Sequence, residues 1–402
     1  MPKINVKNPI VNINGDEMAR VLWARIKQKL ILPFIHINLL DFDLCLESRE
    51  KTNDAITTAA AKSILSNQVG VKCATITPDD KRIQEYNLSK KYPSPNGTIR
   101  KVLNGTIFRE PIIIKNVPKI VNHWNKSVII ARHAYGDIYQ AKEVDLNSGE
   151  KLVLEIRKKN ESIVQEVHSF DSPGVGLAYF NIDKSIVDFA YACFNFALKK
   201  KIPVFLSTKN TILQKYDERF KQIFDDIYKK KFQENFQKIG LEYQHRLIDD
   251  MVACFLKWSG GYLWACKNYD GDVISDLVAQ GYGSLGLMTS ILQSPDGKIV
   301  ETEAAHGTVT SHFRQHQNGL QTSTNPVASI FAWTRALWFR GDIDNQDDLK
   351  KFAKNLEHLC IQTLEDGIMT KDLALMVGPN QKWKTTNELL DILENKLRNL
   401  KN

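Results

Sequence analysis

The chain has 402 residues, with 54 Lys and Arg against 46 Asp and Glu, a formal net charge of +8 and 43% hydrophobic residues. That composition excludes a disordered or fibrous protein, and no run reaches the ~20 apolar residues of a bilayer span, since Ile186 to Leu198 is broken by Asp188 and Asn195. The length exceeds a single core of ~100–200 residues, which predicts two or more lobes and a cleft between them.

The basic excess is mixed with nearly as many acids, and its only dense cluster, Lys199 to Lys201, closes a helical stretch where the dipole favours cations. As a signal for nucleic acid this is weak, and a small, multiply charged anion explains the modest excess equally well. The six cysteines show no zinc or redox spacing, and the N-terminus lacks the apolar core of a secretory signal and the Arg/Ser-rich character of a transit peptide. A cytoplasmic protein with free thiols is therefore expected.

In chain order, a short alternating N-terminal strand leads to a helix from Gly15 carrying Met18, Leu22, Ile26 and Leu30, which ends before Pro33. Strands are predicted at Ile35 to Phe42, Ser127 to Arg132, Lys151 to Arg157 and Gly174 to Phe180. Long helices are predicted at Glu47 to Leu65, Ile182 to Lys200 and Gln214 to Gln237. Further helices follow at Ile248 to Lys257, Asp270 to Gln280, Pro326 to Phe339, Asp347 to Glu365 and Thr385 to Leu400. This alternation indicates α/β layers, with Asp137 to Phe180 standing apart as a β-rich insert. GYGSLG (Gly281 to Gly286) fits G-x-G-x-x-G, with Glu301 about 20 residues on where a ribose-binding acid would stand. A helix precedes it and a turn, SPDGK, soon follows, so a Rossmann reading fails for want of strand–turn–helix context.

Three groups of residues carry chemistry. In KNYDGDVISD, Asp272 and Asp276 lie four apart and share a helix face, either as a hard-cation site for Mg²⁺ or Mn²⁺ or as a solvated acidic face. HRLIDDMVA offers a further acid, of which only one of Asp249 and Asp250 can point the same way. In SPNGTIR, FRE and RHAYGDIY, Arg100, Arg109 and Arg132 sit in turn-rich or strand-end segments, as carboxylate clamps or as surface arginines. Tyr139 and Lys209 are proton donors or acceptors if a cleft shifts them, and packing or surface residues otherwise. In ETEAAHGTVTSHFR, the loop from His306 through Gly307 offers hydroxyls and backbone N–H groups to a phosphate, although His306 fits a structural role equally well.

Taken together and in order, NGDEMAR, GVKCATITPD, SPNGTIR, RHAYGD, KNYDGDV, AAHGTVT and MTKDLA resemble the metal-dependent β-decarboxylating dehydrogenases, most closely the homodimeric NADP-dependent isocitrate dehydrogenases. The resemblance runs nearly end to end. It implies the isocitrate/isopropylmalate dehydrogenase-like α/β fold: a large domain from 1–103 and 283–402, a small domain from 104–136 and 183–282, and a β-rich clasp over 137–182 joining two subunits. Matching positions imply that Thr77, Ser94, Asn96, Arg100, Arg109 and Arg132 bind isocitrate. Asp272 and Asp276, with Asp249 of the other subunit, would hold Mg²⁺ or Mn²⁺. Tyr139 and Lys209 match the catalytic pair, Lys209 entering from the other subunit beside Thr211.

Lys72, Thr75, Arg82, His306, Gly307, Thr308, Val309, Thr310, His312 and Asn325 match coenzyme contacts. Here the chain departs from the family, because Ser311 and His312 stand where the NADP enzymes usually place Arg and His against the 2′-phosphate. Cys254 replaces a Gln that usually helps from the partner, while Lys257 is retained. No acid takes the Arg position, so the carboxylate that marks NAD use is also missing. NADP is expected to remain favoured, with weakened preference and appreciable NAD use. An isopropylmalate- or tartrate-type enzyme would share the chemistry, but Ser94 and Asn96 suit a third carboxylate better than an isopropyl group. The complete set of acids, arginines, Tyr139 and Lys209 opposes a purely regulatory or nucleic-acid-binding protein on the same fold.

Overall fold

The structure, a computed structural model, describes residues 3–400. Its strands are β1 (Ile4–Asn5), β2 (Ile10–Asn14), β3 (Ile35–His36), β4 (Leu39–Asp43), β5 (Val69–Lys72), β6 (Thr106–Pro111), β7 (Val128–His133), β8 (Lys142–Leu146), β9 (Lys151–Arg157), β10 (Ser162–Ser169), β11 (Gly174–Ala178), β12 (Val204–Thr208), β13 (Tyr243–Leu247), β14 (Tyr262–Cys266), β15 (Met288–Gln293) and β16 (Val300–Ala304). Ten of them form one sheet in the order β13-β12-β14-β7-β6-β15-β16-β5-β2-β4. β13, β12, β14 and β7 run parallel, as do β16, β5, β2 and β4. Antiparallel pairing of β6 with β7 and β15, and of β15 with β16, joins the two blocks, which therefore run in opposite directions.

Side chains that alternate along a strand reach opposite faces, and here each face meets its own core. From β7, β12 and β14, Ile129, Ala131, Val204, Leu206, Leu263 and Ala265 enter a Phe-rich cluster with Phe189, Phe194, Phe220 and Phe224. Val128, Ile130, Phe205, Tyr262 and Trp264 enter another with Trp124 and Phe255. The second parallel block packs on the helices Val327–Ile343, Asp347–Glu365 and Thr386–Arg398 around Trp23 and Trp333, whose rings lie 5.1 Å apart. β8–β11 form two separate antiparallel pairs, β11 with β8 and β10 with β9.

The expected α/β layering and the β-rich insert are present; several boundaries differ for local reasons. The helix expected over Glu47 to Leu65 breaks into Leu46–Lys51 and Ala55–Asn67, because Asn53 and Asp54 take left-handed conformations, φ 49° and 65°, which Asn and Asp tolerate. The first helix, Glu17–Ile26, widens over Lys27–Ile31, where Leu32 N–H donates to the Lys27 carbonyl five residues back at 2.9 Å. A similar wide turn, Tyr228–Phe232, divides the helix expected over Gln214 to Gln237. The glycines of GYGSLG serve packing. A Cβ on Gly281 would stand 2.1 Å from the Trp124 ring, and strand β15 follows where a Rossmann fold needs a helix.

Candidate active site

Arg109 lies within β6 and Arg132 within β7, and Arg100 is on the helix Pro95–Leu103. The strand-end setting expected for them holds for Arg132, next to last in β7, and is corrected for the other two: Arg109 lies inside its strand and Arg100 is helical. Burial fixes their guanidinium groups. Arg132 Nε donates to Asn268 Oδ1 at 2.8 Å and its Nη1 to Asp272, while the Tyr139 ring lies 4.7 Å beneath its guanidinium. Arg109 Nη1 donates to Ser275 Oγ at 2.8 Å and Asp276 Oδ1 at 3.1 Å, leaving its buried Nε without a partner. Burial and the neighbouring Arg100 pull the Arg132 pKa down to about 10, so the arginines crowd one another and the site is poised for anionic charge.

Asp272 and Asp276 project from the helix Asn268–Gly281. What lets this helix approach β7 is Gly271: a Cβ there would lie 2.8 Å from Arg132 Cβ and 3.0 Å from its Cα. Tyr139 sits on a short helical turn, Asp137–Gln140, and donates its hydroxyl to Asp272. Burial, then that hydrogen bond, push its pKa up to about 12, so it stays protonated and can donate. The turn is held by buried Asp137, which accepts from Asn268 N–H at 2.9 Å and Asn181 Nδ2 at 3.1 Å. Beside Arg100, Ser94 is the N-cap of its helix without using its hydroxyl there, and Asn96 Oδ1 is buried without a partner. The N–H groups of a helix N-terminus suit an anion, and the Ser94 hydroxyl is free to donate there, whereas Asn96 Oδ1 can only accept; exposed Thr77 lies in the loop after β5.

Lys209 follows β12, two strands from β7, and pairs with Asp249 in the first turn of the helix Ile248–Lys257 at 2.8 Å. That pairing first of all holds the Asp249 carboxyl below the usual range. Asp250 turns away to Arg246, 2.8 Å. Thr211 is exposed. Within one chain Lys209–Asp249 and the arginine cluster form separate pairs. Among the described residues, no three His, Cys, Asp or Glu side chains converge as a metal site.

The HGTVT loop leaves β16 and enters the helix Thr310–Gln317 through Val309, held at φ 57°. A β-branched residue is costly in that region, and the anchor is Glu17. Its Oε2 accepts from Thr308 Oγ1 at 2.5 Å and Thr310 Oγ1 at 2.7 Å, and its Oε1 lies 2.7 Å from Arg82. Arg82 also donates to Thr310 Oγ1 at 2.9 Å. Burial lowers the pKa of His306, whose Nδ1 is 2.9 Å from the Gly307 carbonyl. Ser311 is exposed, His312 Nδ1 meets Thr324 Oγ1 at 2.8 Å, and Asn325 donates to Asp372 at 3.0 Å. Lys72 is buried against Glu303 at 3.1 Å, Thr75 is half-buried, and exposed Lys257 makes no hydrogen bond or ion pair to this loop among the described residues.

Several supporting residues escape a reading of the sequence. Glu17 resembles an ordinary acid in a helical first turn, and Arg49 one of a charged run. Arg49 is in fact fully buried, donating to the Ile76 and Pro93 carbonyls at 2.9 and 2.7 Å, so it clamps the Thr77 loop to the start of the Arg100 helix. Glu301 is a buried mid-strand acid, where burial and then Glu303 raise its pKa, and no ribose-binding role follows.

The isocitrate/isopropylmalate dehydrogenase family model matches residues 5–393. The chain belongs to that family. Similar proteins include a Sphingobium yanoikuyae protein named NADP isocitrate dehydrogenase, 55% identical over 394 residues, covering 98% of this chain and 97% of that one. A peroxisomal NADP isocitrate dehydrogenase of Candida tropicalis is 54% identical over 400 residues, covering 98% and 97%. A mitochondrial NADP isocitrate dehydrogenase of Sus scrofa is 52% identical over 403 residues, covering 98% and 96%. Relatives within the isocitrate/isopropylmalate dehydrogenase family thus carry names from different compartments, so membership does not point to the cytoplasm. No helix among the described residues is long and apolar enough to cross a membrane.

Proposed function

We propose that the chain catalyses the oxidative decarboxylation of isocitrate to 2-oxoglutarate and CO₂, with reduction of NADP. The observation that carries this reading is the convergence of Arg132, Arg109 and Arg100 beside Asp272 and Asp276. A substrate with three carboxylates needs several fixed cations once water is excluded. Arg100, Arg109 and Arg132 grip these carboxylates, with Ser94, Asn96 and Thr77 donating or accepting at the helix end.

Asp272 and Asp276 present hard oxygen donors from one helix face, and the Asp276 side chain is 63% exposed. They fit Mg²⁺ or Mn²⁺, with Asp249 of a second copy completing the set. When bound, the divalent cation supplies a Lewis acid for charge developing beside the departing carboxylate, and NADP supplies the two-electron acceptor. Lys209 assists removal of the 2-hydroxyl proton, and Tyr139, protonated at neutral pH, delivers the proton to C3. Tyr139 is 48% exposed and its hydroxyl is already directed to Asp272.

A homodimer accounts for two features of the single chain. Asp249, 65% exposed, pairs with Lys209 away from the other acids. Val144, Leu154, Ile156, Val164, Val175 and Leu177 are exposed on both faces of the β8–β11 ladders, more apolar surface than a monomer usually leaves in water. A second copy covers those ladders and exchanges Lys209, Thr211, Asp249 and Lys257 between sites. The HGTVT loop, with Lys72, Thr75, Arg82, His312 and Asn325, forms the coenzyme side, where Ser311 weakens the discrimination between NADP and NAD. Free cysteines throughout support a cytoplasmic location.

Initial rates with isocitrate and Mn²⁺, run with NADP and with NAD and followed by 2-oxoglutarate formation, test this function. Turnover is expected with NADP and, less efficiently, with NAD. Absence of turnover with either coenzyme would end the reading.

A further inference from the structure

A concavity of about 450 Å³ shares no lining residue with the arginine cluster. It lies between the helix Asp183–Lys200 on one side and Val327–Ile343 and Asp347–Glu365 on the other, with Ile291 of β15 between them. Its size falls within the range of small-molecule sites, ~300–1,000 Å³. Phe196 enters from the first helix, and Trp338 and Phe339 from the second.

The polar groups around these rings are unequal. Lys200 is spent on Glu110 at 2.8 Å, and Arg335 on Glu357 at 3.1 Å. Lys199 pairs with Asp342 at 2.8 Å, its ammonium 4.6 Å from the Trp338 ring centroid. Lys354, exposed on the Asp347–Glu365 helix at the rim, has no ion pair or hydrogen bond among the described residues. Asp296, exposed in the lining without an ion pair, is held within its own turn, where its Oδ1 accepts from Ser294 Oγ at 2.7 Å and Lys298 N–H at 3.1 Å. The cavity therefore offers aromatic walls and one cation, Lys354, without a partner. We propose that it binds a planar aromatic molecule carrying a single anionic group, the ring lying against Phe196 and Trp338 and the anion at Lys354, separately from the active site. A dianion is disfavoured, because the other cations of the lining, Lys199, Lys200 and Arg335, are already paired.

The test is a fluorescence titration of the full-length protein with anilinonaphthalene sulfonate, in saturating NADP so that a nucleotide pocket cannot take up the probe. One saturable site per chain is expected. Lys354→Glu should weaken it about tenfold by reversing the charge of the one unpaired cation, with turnover and unfolding midpoint unchanged. Asn195→Trp, from an exposed position lining the cavity, should fill it and abolish binding. If that variant folds poorly, Lys354→Glu decides alone. Absence of saturable binding in the presence of NADP, or unchanged affinity in Lys354→Glu, overturns the proposal.

Discussion

Ser311 shows how much one side chain can decide. It is exposed in the first turn of the Thr310–Gln317 helix, where an arginine could donate a charge-assisted hydrogen bond worth ~1.5–3 kcal/mol, or roughly 10–150-fold in affinity. Ser311→Arg should therefore raise kcat/KM for NADP more than for NAD, and more at low salt, where screening is weak. Equal gains with both coenzymes in initial-rate assays would mean that the 2′-phosphate is held elsewhere. Gly271 works by having no side chain at all. In Gly271→Ala the new methyl would meet the backbone of β7 as well as the Arg132 stem, so repacking cannot absorb it. Displacing a substrate clamp by about an ångström costs about a hundredfold in rate, whereas overpacking costs ~1–3 kcal/mol in stability. A fall in kcat/KM for isocitrate that far outweighs the drop in unfolding midpoint is expected. A variant that loses stability but keeps kcat/KM would sever Arg132 from substrate binding.

At the scale of elements, β7 ends in a residue that sets an acid limit on the fold. His133 is buried, hydrogen-bonded to Ser185 Oγ at 2.8 Å and packed 5.0 Å from the Phe189 ring. Burial lowers its pKa from 6.5 to about 3. The unfolded chain takes up a proton below pH 6.5 while the folded one does not, so this contribution is present above pH 6.5 and is lost as pH falls towards 3. His133→Phe should be less stable near neutrality, because it orphans Ser185, yet lose less further stability between pH 6.5 and 3 in denaturant titrations. Parallel acid limbs in the two proteins would refute the assignment.

β7 also shows what the sequence reveals and what it hides. Its apolar run VIIAR, bounded by charged residues, reads as a strand. Comparable runs in β12 and β14, buried on both faces by separate cores, lack the alternation that distinguishes strand from helix. Spacing alone suffices to put Asp272 and Asp276 on one helix face, because both are local. The roles of Glu17, Arg49 and Asp137 depend on partners distant in sequence: Glu17 reaches residues 308 and 310, and Arg49 reaches 76 and 93. No local pattern encodes such a pairing, so each acid or arginine looks like any other on a solvated face.

Across the whole molecule, the groups proposed for one reaction fall into two sets that share no ion pair among the described residues. Arg109 and Arg132 pair with Asp276 and Asp272, with Arg100 close to Arg132, whereas Lys209 is tied to Asp249 from β12 and the helix after β13. The exposed apolar residues of β8–β11 provide the surface through which a second copy would bring the halves together. Subunit complementation tests this distribution directly. Lys209→Ala and Arg100→Ala homodimers should each be inactive, each lacking one half of every site. After mixing and exchange, a heterodimer holds one site with both lesions and one with neither. Random pairing makes about half of all dimers heterodimeric, so recovered activity should approach about a quarter of wild type per chain, with the wild-type KM for isocitrate because the restored site is unaltered. Labelled subunits, followed by native mass spectrometry, establish that exchange has occurred. Exchange without recovered turnover would mean that Lys209 and Arg100 serve the same site from the same chain, and that the Lys209–Asp249 pair must reach the arginine cluster by a movement within one subunit.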